Sequence, residues 1–411
     1  MSLTEMTGAS GTPSRRRLVL ILASLAAFGP LATDMYLPAL PEMTESLGAD
    51  DAAGQLTISV FLAGVAVSQL FYGPLSDRIG RRGLLLFGTA LFALASAGCC
   101  LAWNVQAMLA FRLLMALGGA AGMVLSRAVV RDLFSGRDMA DFFSLLMIVM
   151  GAAPILAPLI GGQILLLGNW RMIFAVLVIV SAAACFGVWR LLPESLPPEK
   201  RQRHGIGLAL VGYWQLLRNR AFLGYALLTG FNSSAFFTYL TCSPHVFIKL
   251  NGMSEQMYAA LFGLNAIGML GASVLNRRLL RSFSPGAILG TTIYGVLFMG
   301  ILLATCAWTG LGGLWLMAAL LFVTLASGGL VLPNATTLAL IPCGREAGSA
   351  SAFIGTLQYG MGGLAGAIAG HLGADSALPM CGMFAVCSLA ACVVLRSFTK
   401  SLAMLISQGK N

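Results

Sequence analysis

The chain has 411 residues, of which 58% are hydrophobic and only 10% are charged. Soluble globular domains carry about 25% charged residues, so this composition excludes an ordinary soluble protein and indicates one that crosses a membrane several times. The formal net charge is +10. The bases are scattered among short segments and are not clustered beside base-stacking aromatic residues, which argues against nucleic-acid binding.

Apolar runs of about 20 residues recur along the chain, long enough at ~1.5 Å per residue to cross a hydrocarbon layer of ~30 Å. Because lipid cannot satisfy backbone N–H and C=O groups, these runs must be helices. We therefore expect an all-α integral membrane protein with twelve transmembrane helices. The predicted spans lie near residues 18–41, 54–74, 84–102, 107–130, 141–166, 171–192, 220–243, 255–275, 286–306, 313–338, 348–371 and 377–397.

The longest polar stretch runs from Pro193 to His204 and separates the sixth predicted span from the seventh. Two six-helix bundles joined by a linker suit a secondary transporter, in which substrate binds between two halves that rock. We expect a first bundle at residues 1–192, a cytoplasmic linker at 193–219 and a second bundle at 220–411. The sequence has no G-x-x-x-x-G-K-[ST] phosphate loop, so an ion gradient is the expected energy source.

The distribution of bases predicts the orientation of the chain. With a cytoplasmic N-terminus, the inner segments hold 21 of the 25 Lys and Arg, and the outer loops hold only Arg171 and Lys249. The positive-inside rule then places both termini in the cytoplasm. The remaining two bases, Arg112 and Arg127, fall inside the fourth span. For Arg127 we expect snorkelling or a contact between bundles, with no direct substrate role.

The first span contains Asp34, the only one of fifteen acidic residues that we place inside the membrane. A charge at this depth costs about 2.5–3.5 kcal/mol on insertion scales, so the carboxylate needs a partner, a water-filled cavity or a proton. Proton binding would make it a switch, and proton-coupled transport is the leading hypothesis. The alternative is a structural carboxylate that is tied to backbone groups or to an arginine.

Arg112 is predicted at a similar depth in the fourth span. It lies about 7 Å from the outer boundary and Asp34 about 10 Å, at 1.5 Å per residue. The two side chains could meet or share a water network, and Arg112 would then tune the acid. The alternative for Arg112 is that it snorkels to the interface.

The segment between the second and third predicted spans is rich in glycine and arginine. We expect its glycines to permit a tight turn and its arginines to lie on the cytoplasmic face. The residues concerned are Gly73, Asp77, Arg78, Gly80, Arg81 and Arg82. The run resembles the G-x-L-x-D-R-x-G-R-R/K signature of the major facilitator superfamily. The resemblance implies that Asp77 latches the two bundles together on the cytoplasmic side in the outward-open state; a solvated orienting loop is the alternative.

Residues 32–41, Ala-Thr-Asp-Met-Tyr-Leu-Pro-Ala-Leu-Pro, are similar to the first-helix signature of the Bcr/CflA drug-resistance branch. Further matches are Arg131-Asp132, Pro193-Glu194 and Ser243-Pro244. The resemblance implies a monomeric exporter of the bacterial inner membrane in which Asp34 binds protons and cationic drugs. Related exporters can have a second acid where this chain has Ala26 and Ala27, so a one-proton cycle is expected and unaided export of dications is doubtful.

The fourth span matches the family motif R-x-x-Q-G-x-G, which starts at Arg112, only in part. Met115 stands at the glutamine position of the motif and Ala116 at its first glycine position. The fifth span resembles the antiporter motif G-P-x-x-G-G, with Ala157 in place of the first glycine. Its prolines remove backbone donors and its glycines permit close helix approach. In the family this motif accompanies exchangers, which favours export. The residues of this antiporter helix are Pro154, Pro158, Gly161 and Gly162.

Several neutral polar and aromatic side chains are candidates for the lining of a cavity. Apolar walls with a few polar contacts suit the binding of small molecules, and each residue taken alone has interhelical packing as its alternative. The candidates are Tyr36, Asn232, Phe236, Tyr239, Asn265, Gln358 and Tyr359. The glycine-rich eleventh span is expected to pack against the other bundle.

The sequence predicts a secondary active transporter that exchanges protons for drug-like small molecules, with Asp34 as the proton carrier. A proton-coupled transporter of a metabolite, such as a nucleoside or an amino-acid derivative, is the alternative. We expect no cofactor and no metal site, because the nine cysteines have no ordered spacing and His204, His245 and His371 lie on different sides of the membrane. A membrane-embedded enzyme or a receptor is disfavoured.

Overall fold

The computed structural model of the protein describes residues 15–201, 206–373 and 375–408. Within these ranges the secondary structure is helical throughout, without strands. The first predicted span consists of α1 (Arg15–Ala26), α2 (Phe28–Asp34) and α3 (Leu40–Ser46). The other helices of the first half are α4 (Asp51–Ile79), α5 (Arg81–Cys100), α6 (Val105–Leu133), α7 (Gly136–Leu167) and α8 (Trp170–Leu191). Those of the second half are α10 (Arg220–Pro244), α11 (Glu255–Leu279), α12 (Pro285–Thr309), α13 (Gly313–Leu340), α14 (Ala347–Leu372) and α15 (Leu378–Gln408).

Each predicted span coincides with one of these helical segments. In the described part of the chain, nine helices are long and apolar enough to cross a membrane, and the bent first span makes a tenth. The other two are α10 and α14, with 25 and 26 residues. They are less apolar because polar residues and glycines interrupt them, and they pack extensively on each other. The predicted fold of twelve transmembrane helices in two bundles is confirmed.

The first span is broken twice by proline. Pro30 has no N–H to donate to the carbonyl of Ala26, and Pro38 has none for the carbonyl of Asp34. The helix accordingly ends at Ala26 and again at Asp34, with a bend of 40° at the first break and a 3₁₀ turn at Leu37–Ala39 after the second. The last carbonyls of α2 therefore have no helical partner and are free to accept other donors.

The two bundles contact each other through small residues. A Cβ on Gly363 of α14 would lie 3.0 Å from the carbonyl oxygen of Ser59 in α4. An added Cβ would require the neighbouring helix to move back by a few tenths of an ångström, so glycine favours this close approach. The expected packing of the eleventh span against the other bundle is thus observed.

The linker contains a helix that the sequence analysis did not predict, α9 (Ile206–Arg218); His204 lies outside the described residues. The hydroxyl of Tyr213 in α9 donates to the carbonyl oxygen of Leu70 at 3.1 Å. That carbonyl lacks its helical donor because the residue four positions later is Pro74. The ring of Tyr213 also lies 6.0 Å from that of Phe353 in α14. Helix α9 therefore contacts both bundles.

Candidate functional site

A cavity of about 1460 Å³ lies between the two bundles. It opens at the predicted cytoplasmic face, where Asp77, Arg131 and Arg277 border it. Its walls come from α4, α6 and α7 of the first bundle and from helices α10 to α15 of the second. Binding sites for drug-sized ligands have volumes of about 300–1,000 Å³, so this cavity has room for such a molecule and its water.

The opposite ends of the bundles are in contact. Asp51 at the start of α4 lies 2.5 Å from Nζ of Lys249 and 3.6 Å from Nδ1 of His245. Both bases follow α10 in the second bundle. Nearby, Nε2 of Gln256 in α11 donates to the carbonyl oxygen of Gly162 in α7 at 3.4 Å. The protein is therefore closed at its predicted outer face and open at the opposite face, which is an inward-facing conformation.

Asp34 lies in the closed outer half and borders neither this cavity nor the smaller one beside it. Its side chain is 3% exposed. Oγ1 of Thr33 donates to its Oδ1 at 2.7 Å, and no ion pair among the described residues involves it. Asp34 is thus buried at the break in the first span.

Arg112 is completely buried in α6. Its Nη1 donates to the carbonyl oxygen of Ala32 at 2.7 Å, and its Nε donates to that of Thr57 at 3.4 Å. The carbonyl of Ala32 is available because α2 ends two residues later. The guanidinium lies 4.4 Å from the ring centroid of Tyr36 and 4.5 Å from that of Phe61. Arg112 therefore joins α6 to the first and second spans, and the snorkelling alternative was wrong.

Arg112 and Asp34 do not meet in this conformation. Their similar depth suggested a contact, but the guanidinium points to the backbone of the first span and no ion pair joins the two side chains. Tyr36 is likewise placed away from both cavities, because its ring covers Arg112 and its hydroxyl lies 3.0 Å from Oγ1 of Thr57. The expectation that Tyr36 lines a cavity does not hold in this inward-facing conformation.

The remaining lining candidates divide between two cavities. The large cavity is bordered by Asn232, Phe236, Gln358 and Tyr359. Phe236 also borders a second cavity of about 190 Å³, together with Tyr239 and Asn265. Nδ2 of Asn265 donates to the hydroxyl of Tyr239 at 2.8 Å. The second cavity therefore adjoins the large cavity and extends to Tyr239.

Arg127 was expected to snorkel or to make a contact between the bundles, without a direct substrate role. Its side chain is exposed in the wall of the cavity between the bundles, four residues before Arg131, which also borders that cavity. Residues four apart share one face of a helix, so the spacing of these two arginines was a signal in the sequence. The one hydrogen bond of the Arg127 side chain within the described residues runs from Nη2 to Sδ of Met150 at 3.3 Å.

The glycine and arginine segment is mostly helical. Helix α4 continues to Ile79, and α5 begins at Arg81, so the turn is the single residue Gly80, with φ of +105°. Gly73 lies inside α4, where an added Cβ would meet nothing within 4 Å. The expectation of a turn made by both glycines therefore holds only for Gly80.

Two acids outside the predicted site residues hold this turn in place. Glu194 accepts the backbone N–H groups of Arg81 at 2.8 Å and of Arg82 at 3.3 Å, which caps the N-terminus of α5. The side chain of Arg81 lies 2.6 Å from Asp77 and 3.0 Å from Asp132. In this conformation Asp77 pairs within the first bundle, and its role as a latch in the outward-open state stays a prediction.

The glycines of the predicted antiporter helix contact different neighbours. A Cβ on Gly161 would lie 1.8 Å from the carbonyl oxygen of Met35, beside Asp34. A Cβ on Gly162 would lie 3.4 Å from Cβ of Ala259 in α11, an ordinary contact. Pro158 and Pro154 lie inside α7, one and two turns before Gly161. Gly161 therefore lets α7 pack closely against the break in the first span, whereas Gly162 faces the second bundle.

Comparison with known proteins agrees with this architecture. Residues 22–367 match the profile of the Major Facilitator Superfamily. The chain is 37% identical to the uncharacterized MFS-type transporter YdgK of Bacillus subtilis (89% of this chain, 91% of the relative) and 29% identical to a bicyclomycin resistance protein homolog of Haemophilus influenzae (92% and 93%). It is 31% identical to a chloramphenicol resistance protein of Pseudomonas aeruginosa (69% and 68%).

Among solved structures, the POT family transporter PepTSo superposes with a TM-score of 0.76 at 16% identity, over 95% of this chain and 99% of that one. At this identity the likeness shows the fold alone. The profile match and the relatives show more: a multi-pass membrane transporter that acts on small molecules. The chain belongs to the Major Facilitator Superfamily, in the branch whose members include drug-resistance transporters.

Proposed function

We propose that this protein is a secondary active exporter that exchanges protons for drug-like small molecules across the bacterial inner membrane. The observation that carries the proposal is the placement of Asp34. It is a buried acid without a cationic partner in the described residues, it lies at a helix break, and it is sealed from a cavity that opens at the opposite face. The resistance names of two relatives support drug-like cargo.

The proposed cycle couples the proton to the movement of the bundles. An ionised carboxylate with one hydroxyl donor costs several kcal/mol in a buried site. When the outer ends separate, water reaches Asp34 and the cost of ionisation falls. The affinity for a proton therefore differs between the two states. The proton gradient supplies the free energy of the exchange, and this difference couples it to the orientation of the bundles. Arg112 acts as a positioning residue, because it holds the carbonyl of Ala32 and with it the helix break beside Asp34.

The predicted division of the chain serves this cycle. Residues 1–192 and 220–411 would rock as two units about the interface, joined by the linker at 193–219. Asp77 would exchange its present partner Arg81 for a contact with the second bundle in the outward-open state. Both termini would lie in the cytoplasm, and a monomer would suffice because each bundle of one chain supplies half of the cavity.

The test uses purified protein in liposomes with an imposed pH gradient and with chloramphenicol or bicyclomycin as cargo. We expect gradient-driven movement of the compound together with proton flux in the wild type. Asp34→Asn should fold and lose both. Asp50→Asn is the matched control, because Asp50 is an exposed N-cap of α4 whose side chain accepts from the backbone N–H of Ala53, and asparagine caps equally well. Full proton coupling in Asp34→Asn would refute the assignment.

A further inference from the structure

We infer that the cavity binds amphipathic organic anions and that Arg127 holds the acidic group of the substrate. This inference deepens the proposed export function and rests on it. Among the side chains that the structure describes, the charged ones that border the cavity are four arginines and one acid. They are Arg81, Arg127, Arg131, Arg277 and Asp77.

One of the four arginines is neutralised. Arg81 lies 2.6 Å from Asp77 and 3.0 Å from Asp132, so the uncompensated charges at the cavity are those of Arg127, Arg131 and Arg277. Arg131 and Arg277 are at the cytoplasmic mouth, where the positive-inside rule alone accounts for them. Apolar walls concentrate the field of such charges inside a cleft, so the cavity attracts anions and repels cations. Asp34, the acid that could have recognised a cation, borders neither cavity.

Arg127 differs from the arginines of the mouth by its depth. It lies one helical turn, about 6 Å, deeper than Arg131 on the same face of α6. Among the described residues it makes no ion pair, and its one hydrogen bond goes to the thioether of Met150, a weak acceptor. The remaining donors of its planar guanidinium are available to a ligand, and their fork geometry matches a carboxylate.

The surroundings of Arg127 suit the rest of such a molecule. Met123, Met150 and Phe236 supply apolar surface in the same cavity. Tyr359 borders the same cavity. The site therefore offers one strong anchor for an acidic group next to a wall for an aromatic or aliphatic body.

Three related probes test the charge preference. They are chloramphenicol, which is uncharged, its succinate ester, which carries a carboxylate, and its glycinate ester, which carries an ammonium group at pH 6.5. Binding to purified protein in nanodiscs is measured by equilibrium dialysis. We expect the succinate to bind about tenfold more tightly than chloramphenicol. This factor corresponds to the free energy that one charge-assisted hydrogen bond contributes to binding. The glycinate should bind most weakly.

Matched variants locate the effect. Arg127→Gln should weaken binding of the succinate about tenfold and leave that of chloramphenicol within about twofold. Arg127→Lys should restore part of the loss, because it keeps the charge without the fork. Arg131→Gln removes an equal charge from the solvated mouth, where screening is strong, and should weaken binding of the succinate less than about threefold.

Two results would overturn the inference. One is succinate binding that is absent or no tighter than that of chloramphenicol. The other is an equal loss in Arg131→Gln and Arg127→Gln, which would indicate a diffuse basic field without an anchor. The binding assay needs no gradient, so the two proposals fail separately. A charge preference without gradient-driven transport would refute the export function, whereas driven transport of chloramphenicol without a charge preference would refute only this inference.

Discussion

The two glycines of the antiporter motif should respond oppositely to the same small substitution. A Cβ on Gly161 would lie 1.8 Å from the carbonyl oxygen of Met35, whereas ordinary contacts begin near 3.4 Å, so α7 and the first span must separate by about 1.6 Å. The atom in the way is backbone, which cannot rotate aside. Overpacking of this kind costs about 1–3 kcal/mol, and Gly161→Ala should be destabilised by an amount in that range.

Gly162→Ala is the matched control. Its new Cβ would lie 3.4 Å from Cβ of Ala259, so nothing has to move. Alanine also favours a helix over glycine by about 1 kcal/mol at both positions, and the comparison of the two variants cancels this gain. The remaining difference isolates the contact with Met35.

The assay has two parts, the midpoint of thermal unfolding in one detergent and gradient-driven transport in liposomes. Gly161→Ala should unfold at a lower temperature than Gly162→Ala and should transport less, because the strained contact is next to Asp34. Both α7 and the first span belong to the first bundle, so the strain should persist in either orientation of the bundles. If Gly161→Ala proved as stable and active as Gly162→Ala, the close approach of α7 to the break would be refuted.

Two further predictions concern the closed outer half. Arg112→Lys should lower the free energy of unfolding by about 1.5–3 kcal/mol. The ammonium group of lysine cannot bind both carbonyls that Arg112 now contacts and also lie between its two aromatic neighbours. An unchanged midpoint of thermal unfolding would contradict the observed burial. Asp51→Asn should weaken the contact of Asp51 with Lys249, whose side chain is 52% exposed. For a pair worth about 0.2–1 kcal/mol, the ratio of inward-facing to outward-facing molecules should fall by roughly 1.5- to 5-fold. Spin-label distances between the outer ends of α4 and α11 would measure the shift, Asp50→Asn is the control, and identical distance distributions in both variants would count against an outer ion-pair contact.

The sequence by itself determined the membrane class, the twelve spans and their division into two halves. These properties are local or additive: a run of apolar residues long enough to cross hydrocarbon must be helical, whatever its neighbours are. The prolines that break the first span act locally too, since each removes one donor within its own helix. Asp34 could likewise be recognised from the sequence as an acid inside an apolar run.

Only the tertiary structure decided which side chains meet. Arg112 contacts the carbonyl of Ala32, 80 residues away, instead of Asp34. Glu194 caps a helix 113 residues earlier in the chain, and Arg127 borders the cavity instead of lipid or headgroups. Such contacts depend on how each helix is rotated about its axis and on which ends of the bundles are apart. The hydropathy of one helix specifies neither its rotation nor the state of the bundle ends, because both follow from the packing of helices that are distant in sequence.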